Sequence, residues 1–311
     1  MNSTTNAMVS VIVPTIAIKE KALLLRRAIE SIRRSSASPV NIIAVVNGSR
    51  ADPGICHWLA SQPDIHHERL ATPSSPLAVA HGRALVQTPF FSMLDDDDEY
   101  LPGGTDLKLA ALTRNPDADI VVTSGFRQTN KADRPTMTSI EKVPRAPLSL
   151  LFESNWLSSC NALYRSASFP WAFFEDVHPY AEWTWLAFRL ALADKQIVAM
   201  NQPTFRIHDT PGSLSKSEPY HHAYQALYQR MLDLQPPADV VRHIKTRMSS
   251  DWHDQSSRAL SAGKRLDAMA FHLRSLMLPG GLRYLAYTRR LMVARAFDGL
   301  RSAPHAPGSR E

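Results

Sequence analysis

Residues 90–98 read FFSMLDDDD, an apolar run followed directly by four aspartates. The apolar part, 90–94, is typical of a buried parallel strand. Four adjacent carboxylates repel one another, and a fold tolerates them where water solvates them or a cation binds them. Because ligands of open parallel sheets bind at the carboxyl ends of the strands, the stretch predicts an α/β fold with a cation-binding rim. The alternative is a solvated turn, or an N-cap of the helix that follows.

Similar apolar runs flank this stretch along the chain. Residues 9–13 and 41–46 are predicted strands, ended by Pro14-Thr15 and by the turn Asn47-Gly48-Ser49. Helical spacing between them predicts βαβ units and a mainly parallel sheet over about the first 125 residues. Further strands are predicted at 120–123, 161–164 and 196–200, a helix at 182–192, and a mobile loop around 130–135. From residue 220 onward only helical patterns occur.

Composition restricts the class of protein. With 311 residues and 44% hydrophobic content, the chain can bury the core of one large domain with an appendage. Two widely separated cysteines indicate neither a disulfide framework nor a zinc site. The sequence contains no run of about 18 uncharged apolar residues, so no membrane-spanning helix is predicted. The first residues lack the basic start and the apolar core of a leader peptide. A cytoplasmic protein is therefore expected.

The positive charge is concentrated near the end of the sequence. Residues 258–301 contain nine basic and two acidic side chains, a net charge of +7, whereas the whole chain has +6. The rest of the chain therefore carries −1. A near-neutral body argues against a nucleic-acid enzyme, and the basic segment predicts an anionic partner.

Several motifs together resemble one family, the inverting family 2 glycosyltransferases of the GT-A fold. They are residues 9–15 (VSVIVPT), 45–49 (VVNGS), 88–98 (TPFFSMLDDDD), 101–103 (LPG), 174–176 (FED), 180–182 (YAE), 189–190 (RL), 205–208 (FRIH) and 213–217 (SLSKS). The resemblance implies a Rossmann-like, mostly parallel sheet flanked by helices. It implies a catalytic domain at 1–217, with a nucleotide-sugar half at about 1–125 and an acceptor half at about 126–217. A helical appendage at 218–301 and a frayed tail at 302–311 complete the expected organisation.

The resemblance also assigns nucleotide-binding residues. Pro14 and Thr15 would line the nucleotide pocket, and Asp95 and Asp96 would contact the nucleotide. Asn47 stands where the family usually has an aspartate that reads the base. Since an amide both donates and accepts hydrogen bonds, the base is left open, with a UDP-sugar as the expected donor.

The metal and the diphosphate are expected next to these residues. Asp97, the second carboxylate of an Asp-x-Asp motif, would hold Mn²⁺ or Mg²⁺, with Asp95 or His208 as a further ligand. A lid over the phosphates is expected to include Arg206, Ser213, Ser215 and Lys216.

An inverting transfer also needs a carboxylate that deprotonates the acceptor hydroxyl. The family usually supplies it from a Glu-Asp pair at the start of a helix, but this chain has Glu182-Trp183. Glu182 is therefore the expected base, with Glu175 and Asp176 as alternatives. A purely structural role for Glu182, pairing with the helix dipole, also stays open.

The acceptor is expected to be a glycan or a lipid-linked glycan, in cell-surface polysaccharide assembly. Residues 282–297 predict a basic amphipathic helix that could lie on an anionic membrane surface or pack on the catalytic domain. A second hypothesis is a catalytically weak sugar-nucleotide-binding or scaffold member of a glycan-assembly complex. A nucleotidyl or phosphoryl transferase would share the acidic site, but the chain lacks a Gly-x-x-x-x-Gly-Lys loop.

Overall fold

The computed structural model describes residues 6–129, 132–210 and 218–292, and for 218–222 only the backbone. The chain divides into two compact units, Met1–His221 and His222–Glu311. The first unit is an α/β fold, as the sequence predicted, and the second is helical.

The first unit is built on a mixed sheet. Its strands are β1 (Val9–Thr15), β2 (Val40–Asn47), β3 (Ile65–Leu70), β4 (Phe90–Met93), β5 (Glu99–Tyr100), β6 (Ile120–Thr129), β7 (Ala132–Pro135), β8 (Ala162–Arg165) and β9 (Ile197–His208). The order is β3-β2-β1-β4-β8-β6-β9-β5, with β7 paired to β6. Strands β1 to β4 are mutually parallel, and β8 lies antiparallel between β4 and β6. The first four strands form the parallel sheet that the sequence predicted, whereas the rest of the sheet is mixed.

Helices cover both faces of the sheet. They are α1 (Ala22–Arg34), α2 (Pro53–Ser61), α3 (Ser75–Leu85), α4 (Gly104–Arg114), α5 (Pro147–Glu153) and α6 (Glu182–Leu192). Leu25, Leu59 and Leu112 from α1, α2 and α4 share one core cluster, whereas α3 packs Ala78 against Ile43 and Val45. Helix α3 approaches β1 closely because Gly82 has no side chain: a Cβ there would lie 2.4 Å from Cγ2 of Ile12.

The structure adds one strand that was not predicted and corrects two expectations. Strand β3 was not predicted, since its sequence IHHERL carries mostly polar residues. The expected mobile loop around 130–135 includes β7, which pairs with β6; residues 130 and 131 are outside the described part. The segment predicted as a helix at 282–297 starts as a 3₁₀ turn, Gly281–Tyr284, and is helical at 287–292, while residues 293–297 lie outside the described part. Leu291 is buried against Ala259 and Ala268.

The second unit contains α7 (Glu218–Asp233), α8 (Ala238–Ser261) and α9 (Arg265–Leu276). Helices α8 and α9 are joined by hydrogen bonds between Ser249 and Ser275 and by the stacked rings of Trp252 and Phe271. Of the helices in the described part of the chain, none is long and apolar enough to cross a membrane.

Candidate active site

The four aspartates follow β4 at the carboxyl edge of the sheet, beside the end of β1. Because Ile12 is in register with Met93, residues that follow either strand meet at this edge. Oγ1 of Thr15 donates a 2.6 Å hydrogen bond to Oδ2 of Asp96, and Nζ of Lys21 lies 3.3 Å from Oδ1 of the same carboxylate. Asp96 is thus a buried link between the two strand ends.

Two further aspartates are fixed by other elements. Oγ of Ser159 donates to Oδ2 of Asp95 at 2.7 Å, and the backbone N–H of His208 donates to Oδ1 of Asp98 at 2.9 Å. The side chain of Asp97 is the least constrained of the four: it is 21% exposed, and its described contact is Nζ of Lys21 at 3.9 Å. Asp97 is therefore the carboxylate best placed to bind a ligand.

Burial makes it energetically costly for the aspartates of this cluster to be ionised. Desolvation, with a smaller effect from the neighbouring carboxylates of Asp97 and Asp96 and against the hydrogen bond from Ser159, raises the pKa of Asp95 to about 6. Desolvation also raises the pKa of Asp96 and Asp98 above the usual carboxyl value. A bound cation would relieve this cost.

The donor set fits Mg²⁺ or Mn²⁺ bound together with a phosphate ligand. Among the described residues, no group of three or more His, Cys, Asp or Glu side chains forms a ready metal cage. Mg²⁺ usually takes one or two carboxylates and completes its shell with water and substrate phosphates. Asp97, with Asp95 nearby in sequence, can supply that number.

Basic side chains surround the acidic cluster, and sequence reasoning missed most of them. Arg27 donates to the backbone carbonyl of Asp97, and its Nε lies 3.1 Å from Glu99. The sequence gives no signal that Lys21 and Arg27 contact the aspartates, and only the tertiary structure shows that they turn toward this edge. Ser159 was also missed, because no local pattern links it to the aspartates.

Arg206 and His208, on β9, converge on Glu99 rather than on Asp97. Nε2 of His208 is 2.8 Å from Oε1 of Glu99, and Arg206 pairs with Asp133 at 2.7 Å and lies 3.8 Å from Glu99. Burial, with a smaller effect from Arg27, lowers the pKa of His208. The expected lid residues Ser213, Ser215 and Lys216 are outside the described residues.

The expected base-reading residue is tied to β1. Asn47 is buried at the end of β2, and its Nδ2 donates to the backbone oxygen of Thr15 at 3.0 Å. Pro14 and Thr15 are likewise buried at the end of β1. The next residue, Gly48, has a φ of +88°, and a Cβ there would lie 3.1 Å from Cβ of Pro73, so glycine is required at this turn.

The expected catalytic carboxylate opens α6. Glu182 is the first residue of that helix and accepts a 3.0 Å hydrogen bond from the backbone N–H of Tyr180. Burial raises the pKa of Glu182. Of the alternatives, Asp176 pairs with Arg189 at 3.3 Å, and Glu175 lines a groove beside Trp171. Glu182 and Asp176 make these contacts with residues of the segment 176–189.

Comparison with known proteins adds a family and a fold. Residues 10–170, more than half of the chain, match the model of the family described as Glycosyl transferase family 2. Three crystal structures of Staphylococcus aureus TarS are similar. TarS 1–349 in complex with UDP-GlcNAc is 14% identical, with a TM-score of 0.59 over 86% of this chain and 81% of that one. TarS 1–349 alone is 14% identical, with a TM-score of 0.61 over 91% and 87%.

The third structure, of longer TarS, is 13% identical, with a TM-score of 0.60 over 86% of this chain and 49% of that one. No curated protein sequence matches the chain. At these identities the likeness concerns the fold, which is the GT-A type with helices following the catalytic sheet.

Proposed function

Because the chain belongs to glycosyl transferase family 2, we propose that it transfers a sugar from a UDP-sugar to an acceptor hydroxyl, with inversion and with a divalent cation. The observation that carries the proposal is the acidic cluster after β4, in which Asp97 alone is left weakly held while its neighbours are fixed. UDP is the proposed nucleotide because TarS, which shares the fold, has been crystallised with UDP-GlcNAc and with UDP.

On the donor side, Asp97 is the proposed cation ligand, with Asp95 as the second carboxylate. The bound Mn²⁺ or Mg²⁺ would neutralise negative charge on the departing diphosphate. Pro14, Thr15 and Asn47 form the proposed nucleotide pocket. Because Nδ2 of Asn47 donates to the backbone oxygen of Thr15, Oδ1 is the amide atom proposed to accept a hydrogen bond from the base.

Two further groups stabilise the donor in this proposal. Lys21 and Arg27 lie beside the aspartates and supply positive charge near the diphosphate. Arg206, Ser213, Ser215 and Lys216 belong to the proposed lid. His208 acts by fixing Asp98 through its backbone N–H and Glu99 through its ring.

Glu182 is the proposed general base. A carboxylate at a helix start would ordinarily have a low pKa, but burial raises the pKa of Glu182 and so improves its ability to take a proton. Trp183, which replaces the usual aspartate, cannot do so. Asp176 is the weaker candidate because Arg189 holds it.

The proposed acceptor is a glycan or a lipid-linked glycan used at the cell surface, with the protein cytoplasmic or peripheral on the inner membrane face. Within the second unit, several large apolar side chains are strongly exposed: Leu266 (87%), Met277 (86%), Leu282 (70%) and Met292 (61%). Together with the basic residues between 258 and 290, they are the groups proposed to contact anionic lipid. The catalytic domain is proposed at 1–217, followed by this helical appendage at 218–301.

Release of UDP tests the enzyme against the scaffold hypothesis. Purified protein is incubated with Mn²⁺ and each of a panel of UDP-sugars, with and without acceptor extracts. We expect UDP release from one donor, reduced by about 10² to 10³-fold in Asp97→Ala. Binding of the donor without release from any UDP-sugar would support the scaffold instead.

A further inference from the structure

A groove lies on the first unit between α3 and the 3₁₀ turn Trp171–Phe174. Its volume is about 420 Å³, within the usual range for small-molecule sites. Helix α3 lines it with Leu77, Ala80, His81 and Ala84, and Trp171 and Glu175 lie across from them. Leu70, Ala71 and Thr72, at the end of β3, complete the lining. The lining is thus largely apolar, with His81 on α3 and Glu175 beside Trp171 as groups that can form hydrogen bonds.

Trp171 is presented at this groove by a rigid support. It is 50% exposed, whereas Trp156 and Trp185 are 1% and 2% exposed and belong to the core. The turn that carries it is anchored by Phe174, whose ring packs edge-on against Phe91. Just before it, the backbone oxygen of Phe169 accepts a 2.9 Å hydrogen bond from Nε of Arg83. A large aromatic side chain held half in water on a fixed turn is a feature of binding surfaces.

The polar groups beside the indole distinguish the class of ligand. Glu175 forms no ion pair with any residue that the structure describes, in contrast to Asp176, which pairs with Arg189. A free carboxylate and an imidazole next to an aromatic face match a pyranose ring, whose C–H face stacks on the indole while its hydroxyls donate to the carboxylate. The apolar lining is too short and the groove too small for a protein helix.

We propose that this groove binds a sugar ring of the acceptor glycan, a role that rests on the proposed function. Glu175, beside Trp171, and the proposed base Glu182 lie on one segment of the chain, seven residues apart. Trp171 and Glu175 are then acceptor-binding residues, separate from the aspartates that bind the donor.

The test is sugar binding in the absence of donor. Saturation-transfer NMR measures binding of cellobiose and of N,N′-diacetylchitobiose to the full chain, where a Kd of about 1 mM is expected for so open a site. Trp171→Ala should weaken binding by about fivefold or more, while Trp171→Phe should retain most of it. The matched control is Trp58→Ala, because Trp58 lies on α2, on the other face of the sheet. Glu175→Gln provides a second, less disruptive variant, which should also weaken binding.

Three results would overturn the proposal: neither disaccharide binds, both variants bind as well as the parent, or UDP with Mn²⁺ displaces the sugar. The last would make the groove part of the nucleotide site. Because sugar binding is measured without donor, whereas the test of the proposed function measures UDP released from a donor, the groove and the proposed function can fail independently.

Discussion

Nδ2 of Asn47 donates a 3.0 Å hydrogen bond to the backbone oxygen of Thr15, and both residues are buried. This bond joins the ends of β2 and β1 where the proposed nucleotide pocket lies. An aspartate, which the family usually has here, could not make it, since an ionised carboxylate only accepts hydrogen bonds. The amide of Asn47 therefore stabilises the contact between the two strand ends, in addition to any role in binding a base.

Asn47→Asp is expected to lower the free energy of unfolding by about 1 to 3 kcal/mol, because two acceptor oxygens would face each other in a buried site. Urea denaturation measures the change. The control is Asn41→Asp, at the start of the same strand, where the partner is Oγ of Ser10 and a hydroxyl can donate instead. Equal stability of Asn47→Asp and the parent would contradict this account.

Glu182→Gln is expected to lower kcat by about 10² to 10⁴-fold while leaving KM for the donor within a few fold, because the amide cannot take a proton. Since burial raises the pKa of Glu182, kcat of the parent should fall in acid as this carboxylate becomes protonated. Initial rates against pH measure both effects. Asp176→Asn should keep most of the rate; if it instead loses activity and Glu182→Gln does not, the base is wrongly assigned.

Because Lys108 is buried, we expect the free energy of unfolding to depend on pH. Its Nζ lies 3.3 Å from the backbone oxygen of Cys160 and 4.0 Å from the ring centre of Tyr100, and burial lowers its pKa from 10.5 to about 7. The unfolded chain therefore binds the proton more tightly than the folded protein between these values. Stability gained through Lys108 rises with pH across this window, by at most about 1.4 kcal/mol per pH unit.

The variant Lys108→Met lacks this titration. Relative to the parent it should be most stable near pH 7 and should lose that advantage as the pH rises toward 10. Parallel urea titrations across this range measure the difference. A stability difference that does not change with pH would contradict a buried, proton-shedding Lys108.

The proposed membrane binding would depend on the exposed apolar side chains of the second unit. Replacing Leu266, Met277, Leu282 and Met292 together by serine should reduce flotation with anionic vesicles by about tenfold or more, since each buried side chain of this size contributes about 1.5 to 3 kcal/mol. The control is Leu23→Ser, a leucine 81% exposed in the first unit. If the parent chain itself stays in solution with such vesicles, this surface has another role.

Local patterns predicted the elements that frame the site. The apolar run ending at the aspartates is β4, and the helix predicted at 182–192 is α6 with the same bounds, because each has a clear period and a clear boundary. Strand β3, which pairs with β2, was not predicted because His66, His67 and Glu68 are polar and interrupt the apolar pattern of a strand. Such edge strands depend on their neighbour more than on their own hydrophobicity.

The acidic motif is evident in the sequence. Which of its aspartates are fixed by hydrogen bonds, and which is left to bind a ligand, is not. Asp95, Asp96 and Asp98 are fixed by Ser159, Thr15 and His208, each from a distant element. Those partners follow from the order of strands in the sheet, and one sequence does not specify that order. The same holds for Lys21, because no local pattern indicates its contact with Asp96.

Calorimetric binding of UDP tests most directly whether Asp97 binds a divalent cation together with a diphosphate. UDP should bind the parent chain at least about tenfold more tightly in Mn²⁺ than in EDTA. That difference should vanish in Asp97→Asn and persist in Asp117→Asn, a change at an exposed turn. Equal affinity for UDP with and without Mn²⁺, or a full effect of Mn²⁺ in Asp97→Asn, would contradict the account.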